Sequence, residues 1–210
     1  MATPAEKLVE SLKVLQKIQE KGIVAIKSED LSRTVKDRLM ANGFIREVIR
    51  GWYIAVNPDE TKGNSTSWFA SYWGFCSRFL EDRFGNDYCI SAEQSLLLHS
   101  GNESVPSQMI IRSIKGTNNI TKLLFNTSLF SMKSPLSELE SVEIKNGLRI
   151  LNLASSIVYS SPSIYISNPI DVRTALSMVN DASEILSLLL DKGHSLKAGR
   201  IVGAFRNIGN

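Results

Sequence analysis

The segment from Ser32 to Ile54 limits the possible folds of this chain more than any other part of the sequence. It begins with a residue suited to cap a helix, continues with apolar side chains at helical spacing, and stops at Gly43. Two β-rich runs follow, separated by Arg50-Gly51, where glycine takes the positive-φ position of a tight turn. The segment therefore predicts a short helix followed by a hairpin.

The residues before this segment predict a longer helix and a small strand. Thr3 and Glu6 flank a proline in the pattern of a capping box, so a helix is expected to start there. Gly22 ends it, residues 23–26 form a short apolar run, and residues 28–31 form another helical turn. The apolar stripe of the first helix consists of Leu8, Leu12, Leu15 and Ile18.

Helix, small strand, helical turn, helix and hairpin in this order are typical of a winged helix-turn-helix. In such a domain the last helix enters a DNA groove and the hairpin, or wing, contacts the phosphates beside it. Trp52 and Tyr53 lie on the returning strand of the predicted wing. Because side chains alternate along a strand, one of the two is expected to turn inward.

The distribution of charge agrees with this interpretation better than the total charge does. The 24 Lys and Arg residues against 21 Asp and Glu residues give a net charge of only +3. Between Leu31 and Ile54, however, five cations face two acids, Asp37 and Glu47, so this segment carries a surplus equal to that of the whole protein. The five cations are Arg33, Lys36, Arg38, Arg46 and Arg50.

The exposed start of the second helix is expected to reach base edges, and the wing is expected to grip flanking phosphates. The alternative is a basic face that binds a protein, because Asp37 and Glu47 would otherwise lie near phosphate. The candidate DNA-binding residues are Ser32, Arg33, Thr34, Lys36, Arg38, Arg46 and Arg50.

A second domain is predicted after a linker. Residues 57–67 are rich in turn-forming and hydroxyl residues, which is a linker composition. We therefore predict an α+β protein with a winged helix over residues 1–57 and a mixed helix-strand domain over residues 65–210. Helices of the second domain are expected to begin near Ser67, Ser91, Asn168 and Ser195, and residues 183–190 continue the apolar pattern. Its strands are expected at Met109–Ser113, Leu123–Phe125, Leu129–Met132 and in parts of Val142–Leu153.

The remaining sequence supports no catalytic or metal site. Cys76 and Cys89 have neither a zinc spacing nor a disulfide framework, and both are interpreted as small buried hydrophobes. His99 and His194 are interpreted as structural residues in helix-end or turn positions. No nucleotide-binding loop or hydrolase elbow occurs, and we expect neither cofactor nor enzyme activity. With no signal segment and no apolar run of membrane-spanning length, a cytoplasmic protein is expected.

The motifs S-R-T-x-x-x-R-L-x-x-N-G-F-I (32–45) and V-I-R-G-W-Y-I (48–54) resemble the N-terminal winged helix of AbiEi-type (abortive-infection, type IV) antitoxins. The resemblance covers residues 5–56, and the S-A-E-Q-S-L-L-L-H-S-G-N helix (91–102) is similar to the companion domain of such proteins. It implies a repressor that binds inverted repeats in its own promoter, and a second domain that counteracts a nucleotidyltransferase toxin.

The chain, including I-V-G-A-F-R-N-I-G (201–209), also resembles the region ahead of the catalytic domain in some bacterial Fic proteins, which transfer AMP from ATP to hydroxyl groups. The Fic signature itself is missing, so no catalytic residue is carried over. This resemblance implies an alternative function, a protein-interaction region that restrains or targets a fused or neighbouring Fic domain. The expected partners are thus double-stranded DNA and a toxin or Fic domain. A homodimer is also considered, since winged helices often read two half-sites, although no dimer motif is visible.

Overall fold

The computed structural model describes residues 3–60, 63–135, 141–191 and 195–209, and these form a mixed α+β chain, as predicted. The helices are α1 (Pro4–Glu20), α2 (Arg33–Ala41), α3 (Thr66–Phe84), α4 (Ala92–His99), α5 (Leu153–Tyr159), α6 (Ile164–Ser167), α7 (Pro169–Ser177), α8 (Ser183–Asp191) and α9 (Ser195–Asn207). The strands are β1 (Ala25–Lys27), β2 (Ile45–Ile49), β3 (Trp52–Ala55), β4 (Cys89–Ile90), β5 (Gln108–Ser113), β6 (Asn119–Lys122), β7 (Ser128–Lys133), β8 (Val142–Lys145) and β9 (Leu148–Leu151).

The chain divides into two compact units. Unit 1 comprises residues 1–83 with 121–128, and unit 2 comprises residues 84–120 with 129–210. The sequence predicted a boundary between residues 57 and 65, whereas nearly all of α3 groups with unit 1. The linker composition after residue 57 marks a loop inside this unit.

Unit 1 contains a three-stranded sheet in the order β1-β3-β2. Both pairings are antiparallel, with Ala25 opposite Ile54 in one and Ile45 opposite Ala55 in the other. The register shifts between Glu47 and Ile49, so the wing contains a bulge near its turn. The predicted small strand before α2 is therefore the third strand of this sheet.

Both faces of β3 are covered, which corrects the expectation that only one of Trp52 and Tyr53 turns inward. Trp52 packs edge-on against Phe75 and Phe79 of α3, with ring centroids 6.1 and 5.4 Å apart. Tyr53 joins the apolar cluster formed by α1 and α2, which includes Leu39. Both side chains are buried because the sheet lies between α3 and the two N-terminal helices.

Polar contacts also join α3 to the sheet of unit 1. The Arg78 guanidinium donates to both carboxylate oxygens of Asp30, at 2.7 and 3.1 Å, and to the Ala25 carbonyl. Burial acts to raise the pKa of Asp30, but hydrogen bonds from Arg78 and from the Lys27 amide outweigh it and lower that pKa. Gly74 brings α3 so close to Val24 that an added Cβ would lie 3.0 Å from a Val24 methyl group.

Unit 2 contains a sheet in the order β4-β5-β7-β6, the β8-β9 hairpin, and helices that pack around α4. Ser91 caps α4 with its hydroxyl, as predicted, accepting from the Gln94 amide at 3.2 Å. Asp171 holds the start of α7 to the end of α4, since its carboxylate accepts from Ser100 at 2.8 Å and from Asn102 at 3.1 Å.

Several element predictions for the chain after α4 need correction. Leu123–Phe125 was expected to be a strand, but Phe125 and Asn126 have φ values of 49° and 59° and form the turn between β6 and β7. Strand β6 and helices α5 and α6 were not predicted. His194 lies outside the described residues. No helix in the described part of the chain combines the length and apolarity needed to span a bilayer.

Candidate nucleic-acid interface

Helix α2 is placed by its cap and by one buried side chain. Ser32 has extended backbone dihedrals (φ −65°, ψ 150°), and its hydroxyl accepts a hydrogen bond of 3.4 Å from the Val35 amide. Leu39 is fully buried in the cluster of unit 1. The helix ends at Asn42, and Gly43 takes a φ of +74°, as the sequence predicted. The first turn of α2 is left facing solvent.

Arg33 is the most accessible cation of this turn. Its side chain is 93% exposed, and its nearest charged group is Asp37 in the next turn, at 3.8 Å. Such exposed pairs contribute little, between about 0 and 1 kcal/mol, so the guanidinium is free to exchange partners. Thr34 beside it is also exposed.

Lys36 is partly fixed. Its ammonium lies 5.9 Å from the centre of the Tyr53 ring, and its side chain is half-buried. A cation over an aromatic face keeps its charge while its stem is held against the protein. Lys36 thus extends the positive surface of α2 from a more restrained position than Arg33.

The turn of the wing presents Arg50 to solvent. Gly51 takes a φ of +82°, its amide donates to the Glu47 carboxylate at 3.1 Å, and its carbonyl accepts from the Ser28 amide at 2.9 Å. Glu47 therefore serves to close the turn, which answers part of the objection that its charge would repel phosphate. Ser28 was not recognised from the sequence as a residue that positions the wing.

Arg38 does not belong to the exposed face. Its guanidinium donates to the Lys7 carbonyl at 2.6 Å and to the buried Ser11 hydroxyl at 2.8 Å. Arg38 thus ties α2 to α1. This role cannot be read from the sequence, because a serine within an amphipathic helix gives no sign of a distant partner.

Arg46 likewise makes contacts inside unit 1. Its guanidinium lies 3.6 Å from the buried Glu60 carboxylate and 5.9 Å from the centre of the Phe125 ring. The Ser67 amide donates to the other Glu60 oxygen at 3.1 Å. The predicted phosphate contact is replaced by a structural one, because the linker after β3 folds back and supplies an acid that must be paired.

Four of the seven predicted residues are therefore exposed on α2 and the wing, and the half-buried Lys36 is a fifth residue of this surface. We name this surface the basic face. It consists of Ser32, Arg33, Thr34, Lys36 and Arg50.

Outside the basic face, the chemically reactive side chains of one histidine and two cysteines make contacts in the protein interior. The His99 Nε2 atom lies 2.8 Å from the Leu151 carbonyl, so the ring contacts a strand and not the end of its own helix. Cys76 and Cys89 are buried, as expected, and form no disulfide, and burial raises the pKa of the Cys76 thiol. Among the described residues no group of three or more His, Cys, Asp or Glu side chains could hold a metal ion.

No protein-family model matches this chain, and no curated protein matches it either.

Proposed function

We propose that unit 1 is a winged helix-turn-helix that binds double-stranded DNA and that the protein is a transcriptional regulator. The order α1, β1, helical turn, α2 and the β2-β3 wing supports the proposal, as does the placement of β3 between its two partners. In this arrangement α2 enters the major groove and the wing lies along the backbone.

The main observation behind this proposal is the solvent exposure of the Arg33 side chain. Its guanidinium stands at the start of α2, where backbone amides that have no helical partner also favour an anion. An arginine in this position is suited to bidentate contact with guanine O6 and N7. Arg50 lies at the tip of the wing, where a cation meets phosphate and reads no sequence.

The resemblance to AbiEi-type antitoxins suggests the DNA target. If the chain represses its own transcription, its operator lies upstream of its own gene. Unit 2 would then act on the toxin of the same system. The region upstream of the gene therefore provides a defined DNA duplex for the binding test.

The test is fluorescence anisotropy with the upstream duplex and with a shuffled duplex of equal composition. Arg33→Ala is expected to weaken binding to the upstream duplex by about 1 to 3 kcal/mol and to reduce its advantage over the shuffled one. Arg50→Ala is expected to weaken both duplexes alike. Lys17→Ala, which removes an exposed cation of α1 outside the basic face, serves as the matched control.

Two results would contradict the proposal. One is equal affinity of the parent and of both basic-face variants for either duplex. The other is a loss in the Lys17 variant as large as that in the Arg33 variant, which would indicate attraction by total charge alone.

Unit 2 supports a second candidate function, protein binding. Ile166, Ile170, Leu190 and Leu196 are each more than three quarters exposed. Exposed apolar groups of this size on neighbouring helices mark interaction surfaces more often than isolated ones do. This agrees with the alternative drawn from the sequence, in which the chain restrains or targets a toxin or a Fic domain. Co-purification of the protein with the product of the adjacent gene tests it, and loss of that product in Leu196→Glu is expected.

A further inference from the structure

A groove of about 540 Å³ runs between α6, α7 and α9 of unit 2. Its lining is largely apolar and includes Tyr165, Val172, Leu176 and Ile208. Ile166 stands at the same groove and is 86% exposed. The volume and the apolar lining suit the side chains of an approaching helix.

The groove is also positively charged. Arg173 and Arg200 line it, and none of its lining residues in the described part of the chain carries a carboxylate side chain. Within the described residues neither guanidinium forms an ion pair with a carboxylate. Burial raises the pKa of Tyr165, and the charge of Arg200 opposes that shift in part. An acidic apolar partner would complement both the charge and the lining.

Gly203 leaves open space on the α9 side of the groove. A Cβ atom added there would meet nothing within 4 Å. Glycine within a helix costs about 1 kcal/mol relative to alanine, and neither a turn nor close internal packing explains it here. The missing side chain allows another backbone to approach α9 closely.

Helix α8 has the complementary chemistry. Its only charged residues are two acids: Glu184, whose carboxylate accepts a hydrogen bond from the Asn152 side-chain amide at 2.5 Å, and Asp191, which is exposed. Leu186 and Leu190, one turn apart, are 56% and 79% exposed, while Ile185 and Leu189 face the interior. Exposed leucines at this spacing form one stripe and are suited to anchor a helix in a groove.

We propose that the protein self-associates through unit 2, with α8 of one copy seated in the α6/α7/α9 groove of a second copy. Leu186 and Leu190 enter the apolar groove, and Asp191, which directly follows Leu190, approaches the arginines at its rim. A single contact then explains both the open groove and the exposed leucine stripe, and the opposite charges of α8 and the groove favour it. The contact is independent of DNA binding by unit 1.

Sedimentation velocity of the full chain over a concentration series tests the proposal. The parent is expected to show a reversible dimer or larger assembly. Leu190→Glu on α8 and Arg173→Glu in the groove are each expected to weaken association at least about tenfold, which corresponds to about 1.4 kcal/mol. Val9→Glu on α1 and Arg206→Glu on α9 outside the groove lining are matched controls that leave it unchanged.

Mixing the two disabled variants gives the sharpest result. The Leu190 variant keeps its groove and the Arg173 variant keeps its α8, so the mixture is expected to associate although neither protein does alone. A monomeric parent at all concentrations would overturn the proposal. A mixture that stays monomeric would overturn the seating of α8 in the groove. Circular dichroism of each variant confirms that it remains folded.

Discussion

The basic face of unit 1 and the C-terminal helices of unit 2 expose different chemistry. On α2 and the wing the most accessible groups are charged, and the apolar side chains of the sheet are covered on both sides. On α6 to α9 several of the most accessible groups are Ile and Leu side chains. The first surface is suited to a polyanion and the second to another apolar surface. The contrast separates a charged surface from an apolar one within the same chain.

The largest expected effect tests whether apolar groups in the two regions have different roles. Trp52→Ala removes a ring packed between β3 and α3, and it is expected to lower the free energy of unfolding by about 3 to 5 kcal/mol. Urea titration monitored by circular dichroism measures it.

Ile166→Ala is the matched change in unit 2. Because the side chain is exposed, its free energy of unfolding is expected to stay within about 0.5 kcal/mol of the parent value. Equal destabilisation by the two substitutions would show that Ile166 belongs to a core, and the contrast between the units would fail.

The second prediction concerns the ion pair between Arg78 and Asp30, which joins α3 to the rest of unit 1. Arg78→Ala leaves the Asp30 carboxylate partly buried without its bidentate donor, and a loss of about 1 to 3 kcal/mol at neutral pH is expected. Since the pKa of Asp30 is lowered in the folded protein, this stabilisation is present above its ordinary value of 3.8 and disappears as the pH falls through the folded pKa.

Thermal melts from neutral to acid pH measure this loss. The difference between the parent and the Arg78 variant is expected to shrink below about pH 4, near the ordinary pKa of an aspartate. Asp30→Asn is the control, and a difference that stays constant with pH would remove the carboxylate from the explanation.

The third prediction compares two glycine substitutions, one in each unit. Their expected effects on the free energy of unfolding are smaller and opposite in sign. Gly51→Ala forces a left-handed backbone on alanine and is expected to destabilise by about 1 to 2 kcal/mol. Gly203→Ala adds helix propensity in open space and is expected to stabilise by about 0.5 to 1 kcal/mol while weakening self-association. Differential scanning calorimetry and sedimentation compare the variants. Stronger association of the Gly203 variant would contradict the close approach proposed at α9.

The local elements were predictable where capping and glycine signals dominate. Thr3, Ser32 and Ser91 cap the helices that the sequence assigned to them, and Gly43 and Gly51 take the expected positive φ. These signals act over three or four residues, so a single sequence carries them.

The extent of the candidate site was less predictable. In the sequence, Arg38 and Arg46 cannot be distinguished from Arg33, because all three are cations of the same basic segment. In the structure, however, their guanidinium groups bind Ser11 and Glu60, which are distant in sequence. The assignment of α3 to unit 1 depends on Trp52 and Arg78 meeting partners across the sheet. Such pairings follow from tertiary packing and leave no local pattern.

DNA binding by the basic face is tested most directly by the salt dependence of binding to the upstream duplex. Each phosphate contact contributes about −0.9 to the slope of log affinity against log salt concentration. The parent is expected to show a steep slope, Arg50→Ala a slope shallower by about 0.9, and Lys17→Ala the parent slope. An affinity that does not change with salt, or an Arg50 variant whose slope equals that of the parent, would contradict the account.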